Sequence, residues 1–188
     1  MTTFDGLWYL ADEASQEAER AYHRLAGRHD GGYLERTYRK YVSRGRFRTL
    51  AGRIQDHGAP YGAHTLVDRP SGEVLLARHE GVGKWVLPGG DLEGPESFRE
   101  AARRELREEA GIAASYDGLA MLVRVEVVCE DHETWGVMPV FRARAETTET
   151  AVTDPDGEIV AARWFPIEAL PEDTRDREDV IAAARAVA

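Results

Sequence analysis

Glu105, Glu108 and Glu109 stand at i, i+3 and i+4 in the run Arg104-Glu105-Leu106-Arg107-Glu108-Glu109-Ala110-Gly111-Ile112. On a helix turning about 100° per residue they share about a third of the circumference. Like charges at that spacing repel and destabilise an isolated helix. A solvated acidic face is the ordinary explanation of such a run, but the helical wheel opposes it. Phe98, Ala101, Ala102 and Leu106 lie on the side that carries Glu105 and Glu109, whereas Arg99, Glu100, Arg103, Arg104 and Arg107 take the outward side. The glutamates thus sit on or beside the stripe that must be buried, where an unpaired carboxylate is costly. A hard cation liganded by oxygens offsets that cost. An all-carboxylate site with positions open to phosphate suits Mg²⁺ or Mn²⁺, and the lack of an accompanying Cys or His disfavours zinc. Carboxylates holding such a cation suit hydrolysis at phosphorus: the metal neutralises phosphate oxygens and acidifies a water, and a carboxylate removes the proton.

The elements that must position these groups are marked on both flanks. Ser97 followed three residues later by Glu100 is a capping-box signature for the helix start, and Gly111 is placed to end it in a left-handed cap. Ahead of the helix, Trp85-Val86-Leu87-Pro88-Gly89-Gly90 reads as a short buried strand running into a tight turn. Paired glycines let backbone pass close to a ligand, and their carbonyls are further oxygen donors.

The segment Gly90–Ile112 resembles the Nudix family: it matches every defined position of the Nudix box, G-x5-E-x7-R-E-U-x-E-E-x-G-U, where U is aliphatic. Pro95 departs from the glycine that many relatives carry before Glu96, at an unconstrained position where proline suits the start of a helix. The resemblance covers about residues 63–172. It implies an α/β/α sandwich with a mixed sheet, to which this chain adds an N-terminal helical extension. It also implies a Mg²⁺-dependent hydrolase (Mn²⁺ as the substitute) that cleaves the pyrophosphate bond of a nucleoside diphosphate linked to another moiety. On this resemblance Glu105, Glu108 and Glu109 are the metal ligands with the Gly89 carbonyl, and Arg104 and Glu96 form an ion pair holding the box loop to the helix. A further acid is expected several residues ahead of a tryptophan. Glu158, before Trp164, takes that place, the alternative being an ordinary loop glutamate beside Asp154 and Asp156. Either Glu158 or Glu105 serves as general base.

Arg78, at the end of an apolar strand, is a candidate phosphate contact or a surface arginine. The substrate stays open among nucleoside triphosphates, nucleotide sugars or alcohols, and 5′-capped RNA. The proline of many ADP-ribose enzymes is absent near Val127 and Val128, and the dinucleoside-polyphosphate tyrosine is missing from the same region. Two other readings accompany this one: a non-catalytic nucleotide-sensing regulator, opposed by the intact box, and an RNA 5′-end pyrophosphohydrolase.

The 188 residues divide into an expected extension, 1–58, and a hydrolase domain, 59–188. Hydrophobic content of 43% and charged content of 31% are those of a globular protein. No apolar run approaches the roughly 18 residues of a membrane span. Cys129 is alone, so a cytoplasmic setting is expected. The net charge is −10, and of 24 basic residues only Lys40 and Lys84 are lysines. Such an acidic, lysine-poor composition fits a high-salt interior or GC-rich codon usage.

In the extension, Ala14, Ala18, Ala21, Tyr22 and Leu25 predict a helix over 13–27, ended by Gly27 and Asp30-Gly31-Gly32. A second helix is predicted from Tyr33, with Leu34, Tyr38, Tyr41 and Val42 on one side. Arg36, Arg39, Lys40, Arg44, Arg46, Arg48 and Arg53 form a basic block with no acid from 36 to 55. It suits docking on acidic surface of the same chain or across a homodimer, or else binding nucleic acid. Residues 56–62 read as a linker. Beyond it, strands are predicted at 63–68, 73–79 and 84–87, a hairpin at 118–129 and 135–145 turning at Asp131-His132, a strand at 159–165 and a helix from about Asp173.

Overall fold

The computed structural model describes residues 6–29 and 31–186. Asp30, expected to help end the first helix, lies outside them, as do residues 1–5 and 187–188 of the two expected domains. The chain forms two compact units. The first takes in Met1–Gly31, Glu35–Gly62 and Leu122–Pro139, and the second Gly32–Leu34, Ala63–Met121 and Val140–Ala188.

In the first unit, α1 (Leu7–Ala26) buries an unbroken stripe of Leu7, Ala11, Ala14, Ala18, Ala21 and Leu25. It begins six residues before the predicted start. Trp8 and Tyr9 obscure the period because they occupy outward positions, 60% and 69% exposed. The predicted second helix is replaced by β1 (Leu34–Tyr41) and then α2 (Arg44–His57). Its first half is rich in strand formers, Thr37, Tyr38 and Tyr41, and the exposure of 34–39 alternates with a period of two. The helix proper waits for Ser43, whose hydroxyl accepts the Arg46 N–H, and ends at Gly58 in the left-handed conformation. Phe47, Leu50, Ala51 and Ile54 form its buried face. The expected linker is therefore mostly structure: Asp56 and His57 belong to α2, and Ala59 and Pro60 are buried. The alanines of α1 let α2 come close. A Cβ on Gly58 would lie 2.4 Å from that of Ala21.

The hairpin strands β6 (Ala114–Cys129) and β7 (His132–Ala145) are longer than predicted and turn at Glu130-Asp131, with Glu130 at φ 54°. His132 is buried in β7 rather than sitting in the turn. The hairpin end, 122–139, belongs to the first unit. Thr134 donates to the Ala11 carbonyl at 3.0 Å, and the Val137 N–H donates to the Gly58 carbonyl at 2.8 Å. The basic block meets the acids of this hairpin. Arg39 bonds Glu126 at 2.7 Å and Glu133 at 2.8 Å, and Arg44 lies 3.6 Å from Glu130. Surface pairs of this kind contribute little stability each, but they match positive segment to negative hairpin.

The hairpin end buries Val123, Val125, Val127 and Val137. Deleting residues 1–58 would remove α1, β1 and α2 from this unit and return such side chains to water, at about 1.5–3 kcal/mol for each fully uncovered. With Tm moving about 2–4 °C per kcal/mol in a chain of this size, the truncated protein is expected to melt at least about 10 °C lower or to aggregate. Scanning calorimetry with light scattering checks this; an unchanged melt would show that the segment is not part of a shared core.

In the second unit β2 (Ala63–Asp68), β3 (Glu73–His79), β4 (Lys84–Val86), β5 (Gly89–Gly90) and β8 (Ile159–Pro166) join β6 and β7. The strand order is β6-β7-β2-β3-β4, with β5 on β2 and β8 on β3. The sheet is mixed: β2 runs parallel to β7 and antiparallel to β3 and β5. Its interior strands are near-continuous apolar runs because both faces are covered. One face packs on α3 (Phe98–Ala110), where Leu106 and Ala110 meet Val67, Leu75, Ala143 and Ala162. The last helix, α4 (Arg177–Ala186), starts later than predicted because the segment before it pairs with β4. Trp85 donates its N–H to Asp173 at 3.3 Å and accepts that of Arg175 at 2.8 Å. No helix among the described residues is long and apolar enough to cross a membrane.

Candidate active site

The helix that carries the box is specified at both ends as predicted. Ser97 Oγ accepts the Glu100 N–H at 3.3 Å, and the Glu100 carboxylate accepts the Ser97 N–H at 2.8 Å. Gly111 closes the helix at φ 69°. The freed carbonyls of the last turn are taken by the segment before β8: Ala151 N–H donates to Ala110 and Thr153 N–H to Glu108, both at 2.8 Å. That docking brings Asp154 and Glu158 to the acidic end of the helix.

Glu109 is only 7% exposed and accepts the Gly89 N–H at 2.9 Å. It has no cationic partner among the described residues. Burial, reinforced by the charges of Glu105, Asp154 and Glu158, pushes its carboxyl up to about 8. Glu105 is raised as well, by burial first and then by Glu108 and Asp154, against the opposing pull of Arg104. Gly90 makes room for it, since a Cβ there would lie 2.5 Å from Glu105 Oε1.

Arg104 takes the opposite course from the wheel. The wheel puts it outward whereas the resemblance pairs it with Glu96, and its side chain, 20% exposed, folds back into the acids. Nε and one terminal nitrogen donate to the Glu96 carboxylate at 2.9 and 3.1 Å. The other terminal nitrogen donates to Glu105 at 2.8 Å and Glu108 at 3.2 Å, and the Asp91 carbonyl receives a further bond at 2.9 Å. A long flexible stem permits this, and the surrounding negative charge favours it. The guanidinium hydrogen bond is the leading reason that Glu96 lies below the ordinary carboxylate range.

Glu96, Arg104, Glu105 and Glu108 are thus one bonded cluster, with Glu109 beside it on Gly89. Because Arg104 draws in Glu105 and Glu108, no three acids converge on one cation-sized point among the described residues. The donor set still fits a hard cation: it is all oxygen, it adjoins a glycine turn that a Cβ would fill, and it includes a buried carboxylate lacking a countercharge.

Glu158 is exposed, with its carboxylate 3.3 Å from His79 Nε2 and its carbonyl accepting the Glu80 N–H at 2.9 Å. The ladder between β3 and β8 slips at Arg78/His79, where this segment joins. Asp154, read from sequence only as part of a loop, accepts the N–H groups of Asp156, Glu158 and Ile159 and adds its charge to the field on Glu105 and Glu109. An Asp-Pro-Asp-Gly turn gives no sign of which helix it docks on, so sequence reasoning passed it over. Arg78 is ion-paired with Asp173 and lies 5.8 Å from the centre of the Trp85 ring. None of these contacts joins it to the glutamate cluster.

The chain matches the NUDIX domain over residues 58–184. It is 36% identical over 91 residues to a putative 8-oxo-dGTP diphosphatase of Bacillus subtilis, covering 48% of this chain and 61% of that protein. It is 37% identical over 111 residues to the human 8-oxo-dGDP phosphatase NUDT18, covering 55% and 31% respectively. The chain therefore spans less than two-thirds of these relatives' length. Among solved structures, the MutT NUDIX hydrolase of Burkholderia pseudomallei is 28% identical with a TM-score of 0.50, covering 68% of this chain and 96% of that one. A domain match that takes in the whole box, on a sheet and helix arranged as that box requires, establishes that this chain belongs to the Nudix family.

Proposed function

We propose that the chain is a divalent-cation-dependent nucleotide pyrophosphohydrolase, formed by residues 59–188 with 1–58 as an added segment. The observation that carries this reading is Glu109: a carboxylate buried beside Glu105 and the glycine turn, without a cationic partner and raised to about 8. A protein keeps such a costly group where it has a use. Glu105, Glu108, Glu109 and the Gly89 carbonyl would hold Mg²⁺ or Mn²⁺. Bound there, the ion would neutralise phosphate oxygens and lower the pKa of a water.

The chain's own groups supply the rest. The Gly89 N–H orients Glu109, and Arg104 holds Glu96 and the box loop to the helix. Either Glu105 or Glu158 would take the proton of the attacking water. The names of the curated relatives direct the substrate toward nucleoside di- and triphosphates, oxidised guanine nucleotides first among them. Two of the seven basic residues of the arginine-rich segment, Arg39 and Arg44, are engaged by hairpin acids, which favours docking within the chain over an RNA substrate.

A hydrolysis panel tests the reading: 8-oxo-dGTP, 8-oxo-dGDP, unmodified nucleotides, ADP-ribose, nucleotide sugars and 5′-triphosphate RNA, with separate readouts for phosphate, pyrophosphate and nucleoside monophosphate. EDTA is expected to abolish activity and Mg²⁺ or Mn²⁺ to restore it. Full activity in EDTA, or recovery by Zn²⁺ alone, would contradict the oxygen-ligand argument.

A further inference from the structure

Arg175 is a cation that the hydrolase reading leaves unused. It is exposed, and its guanidinium has no hydrogen bond or ion pair among the described residues. Its backbone, by contrast, is fixed. The Trp85 carbonyl accepts the Arg175 N–H at 2.8 Å, and the Trp85 N–H donates to the Asp173 carbonyl at 3.3 Å. Arg78 pairs with the Asp173 carboxylate. Between them Thr174, 5% exposed, closes a turn by donating its N–H and its hydroxyl to the Pro171 carbonyl at 3.1 and 2.7 Å. Only the side chain of Arg175 is left to move.

The strand that clasps this segment leads into the site. β4 runs from Trp85 toward the Gly89–Gly90 turn, and β2 lies beside that turn with His64 opposite Gly89. The two residues touch: a Cβ on Gly89 would lie 2.6 Å from His64 Cα and 2.7 Å from its Cδ2. The Arg175 charge acts on the same imidazole. Burial is the first reason that His64 lies low, at about 4, and Arg175 is the second. The ring is therefore neutral near pH 7, and its buried Nδ1 has no hydrogen-bond partner. His64 thus neighbours both the Arg175 guanidinium and the turn that orients Glu109.

A nucleoside di- or triphosphate brings several negative charges to this place, and the cations already described are committed. Arg104 is held by Glu96, Glu105 and Glu108, and Arg78 by Asp173. Asp154 and Glu158 add further negative charge around Glu109. An uncommitted guanidinium is the side chain suited to phosphate, which it can grip through paired N–H donors. We infer that Arg175 binds the phosphate chain of the nucleotide where it crosses the Gly89 turn, an assignment that rests on the pyrophosphohydrolase reading.

The test uses the full chain, with Arg175→Ala, Arg175→Lys and, as a control for net charge, Arg185→Ala in the last turn of α4. Calorimetric titrations in Mg²⁺ take two probes, inorganic tripolyphosphate and the non-hydrolysable α,β-methylene analogue of dGTP. Arg175→Ala is expected to bind both at least about tenfold more weakly, the scale of a charged hydrogen bond. Arg175→Lys keeps the charge without the paired donors, so its affinity is expected to fall between those of the parent and Arg175→Ala. Arg185→Ala should bind as the parent does. On hydrolysed nucleotides Arg175→Ala is expected to raise KM by a similar factor and to leave kcat within about threefold. Melting temperatures should match the parent's, since Arg175 has no side-chain partner to lose. Parental affinity in Arg175→Ala, an equal loss in Arg185→Ala, or Arg175→Lys no better than Arg175→Ala would each overturn the assignment. So would a parent that does not bind tripolyphosphate, or a loss confined to the dGTP analogue, which would put the arginine on the nucleoside. A parent that binds both probes yet hydrolyses no nucleotide would overturn the pyrophosphohydrolase reading instead, while the tripolyphosphate titration still decides on Arg175.

Discussion

Glu109→Gln is expected to lower kcat by about 10²- to 10⁴-fold while leaving the protein folded and, without divalent cation, at least as stable as the parent. Loss of a charged ligand at the reacting phosphate costs activity on that scale. The amide keeps the shape of the carboxyl and its capacity to accept the Gly89 N–H at 2.9 Å. What it removes is a charge that the interior resists. Single-turnover kinetics and calorimetry on the same preparation separate the two effects. Near-parental turnover in the folded variant would end the assignment of Glu109 to the site.

The same residue predicts a pH dependence of stability in EDTA. Its carboxyl rises from an ordinary 4.5 to about 8 in the folded chain. Between those values the folded protein keeps a proton that the unfolded chain has released. Its contribution therefore declines as pH rises from about 4.5 to about 8, and levels off above. Glu96 moves in the opposite direction, so its contribution is lost only as pH falls below the ordinary carboxylate range and does not overlap this window. Buried His64, lowered to about 4, opposes this decline at the acid end of the window and Glu105, also raised, adds to it, but both act alike in parent and variant; the difference in melting temperature between Glu109→Gln and the parent should therefore grow in the variant's favour as pH rises between those limits. A difference that stays constant across the window would show that Glu109 does not take up a proton there.

Arg104→Ala is the second change of large expected effect, and it strikes stability and rate together. The guanidinium holds Glu96, Glu105 and Glu108 and the Asp91 carbonyl, and both it and Glu96 have side chains only 20% exposed. Removing it leaves half-buried carboxylates facing one another, at a cost of about 1–3 kcal/mol. Denaturant titration measures that loss directly. In a double-mutant cycle, Glu96→Ala should cost much less once Arg104 is gone, because its partner is already missing. Additive effects would show that the pair is not energetically coupled.

These predictions rest on the part of the molecule that was legible in one dimension. The capping box, the left-handed Gly111, the buried side of α3 and the strands at 63–68 and 73–79 all follow from spacings of two to four residues. Local backbone geometry sets those spacings, so the sequence displays them directly. The box glutamates were legible for the same reason: three acids at i, i+3 and i+4 beside an apolar stripe require an explanation wherever the helix is placed.

What the tertiary structure decided involves partners far apart along the chain. β1 reads as helix in the sequence because Leu34, Tyr38, Tyr41 and Val42 also fit a helical period, and only pairing with β6 makes that stretch a strand. The hairpin end joins α1 and α2 through contacts such as Thr134 with Ala11, which no local pattern announces. Arg104 turns inward because the Asp91 carbonyl and Glu96 lie across the loop, a field invisible to a helical wheel. Asp154 reaches the glutamates because the segment before β8 satisfies the last carbonyls of α3. Sequence periodicity reports which way a side chain leaves its own element; what it meets there is determined by long-range packing and by the charges that packing brings together.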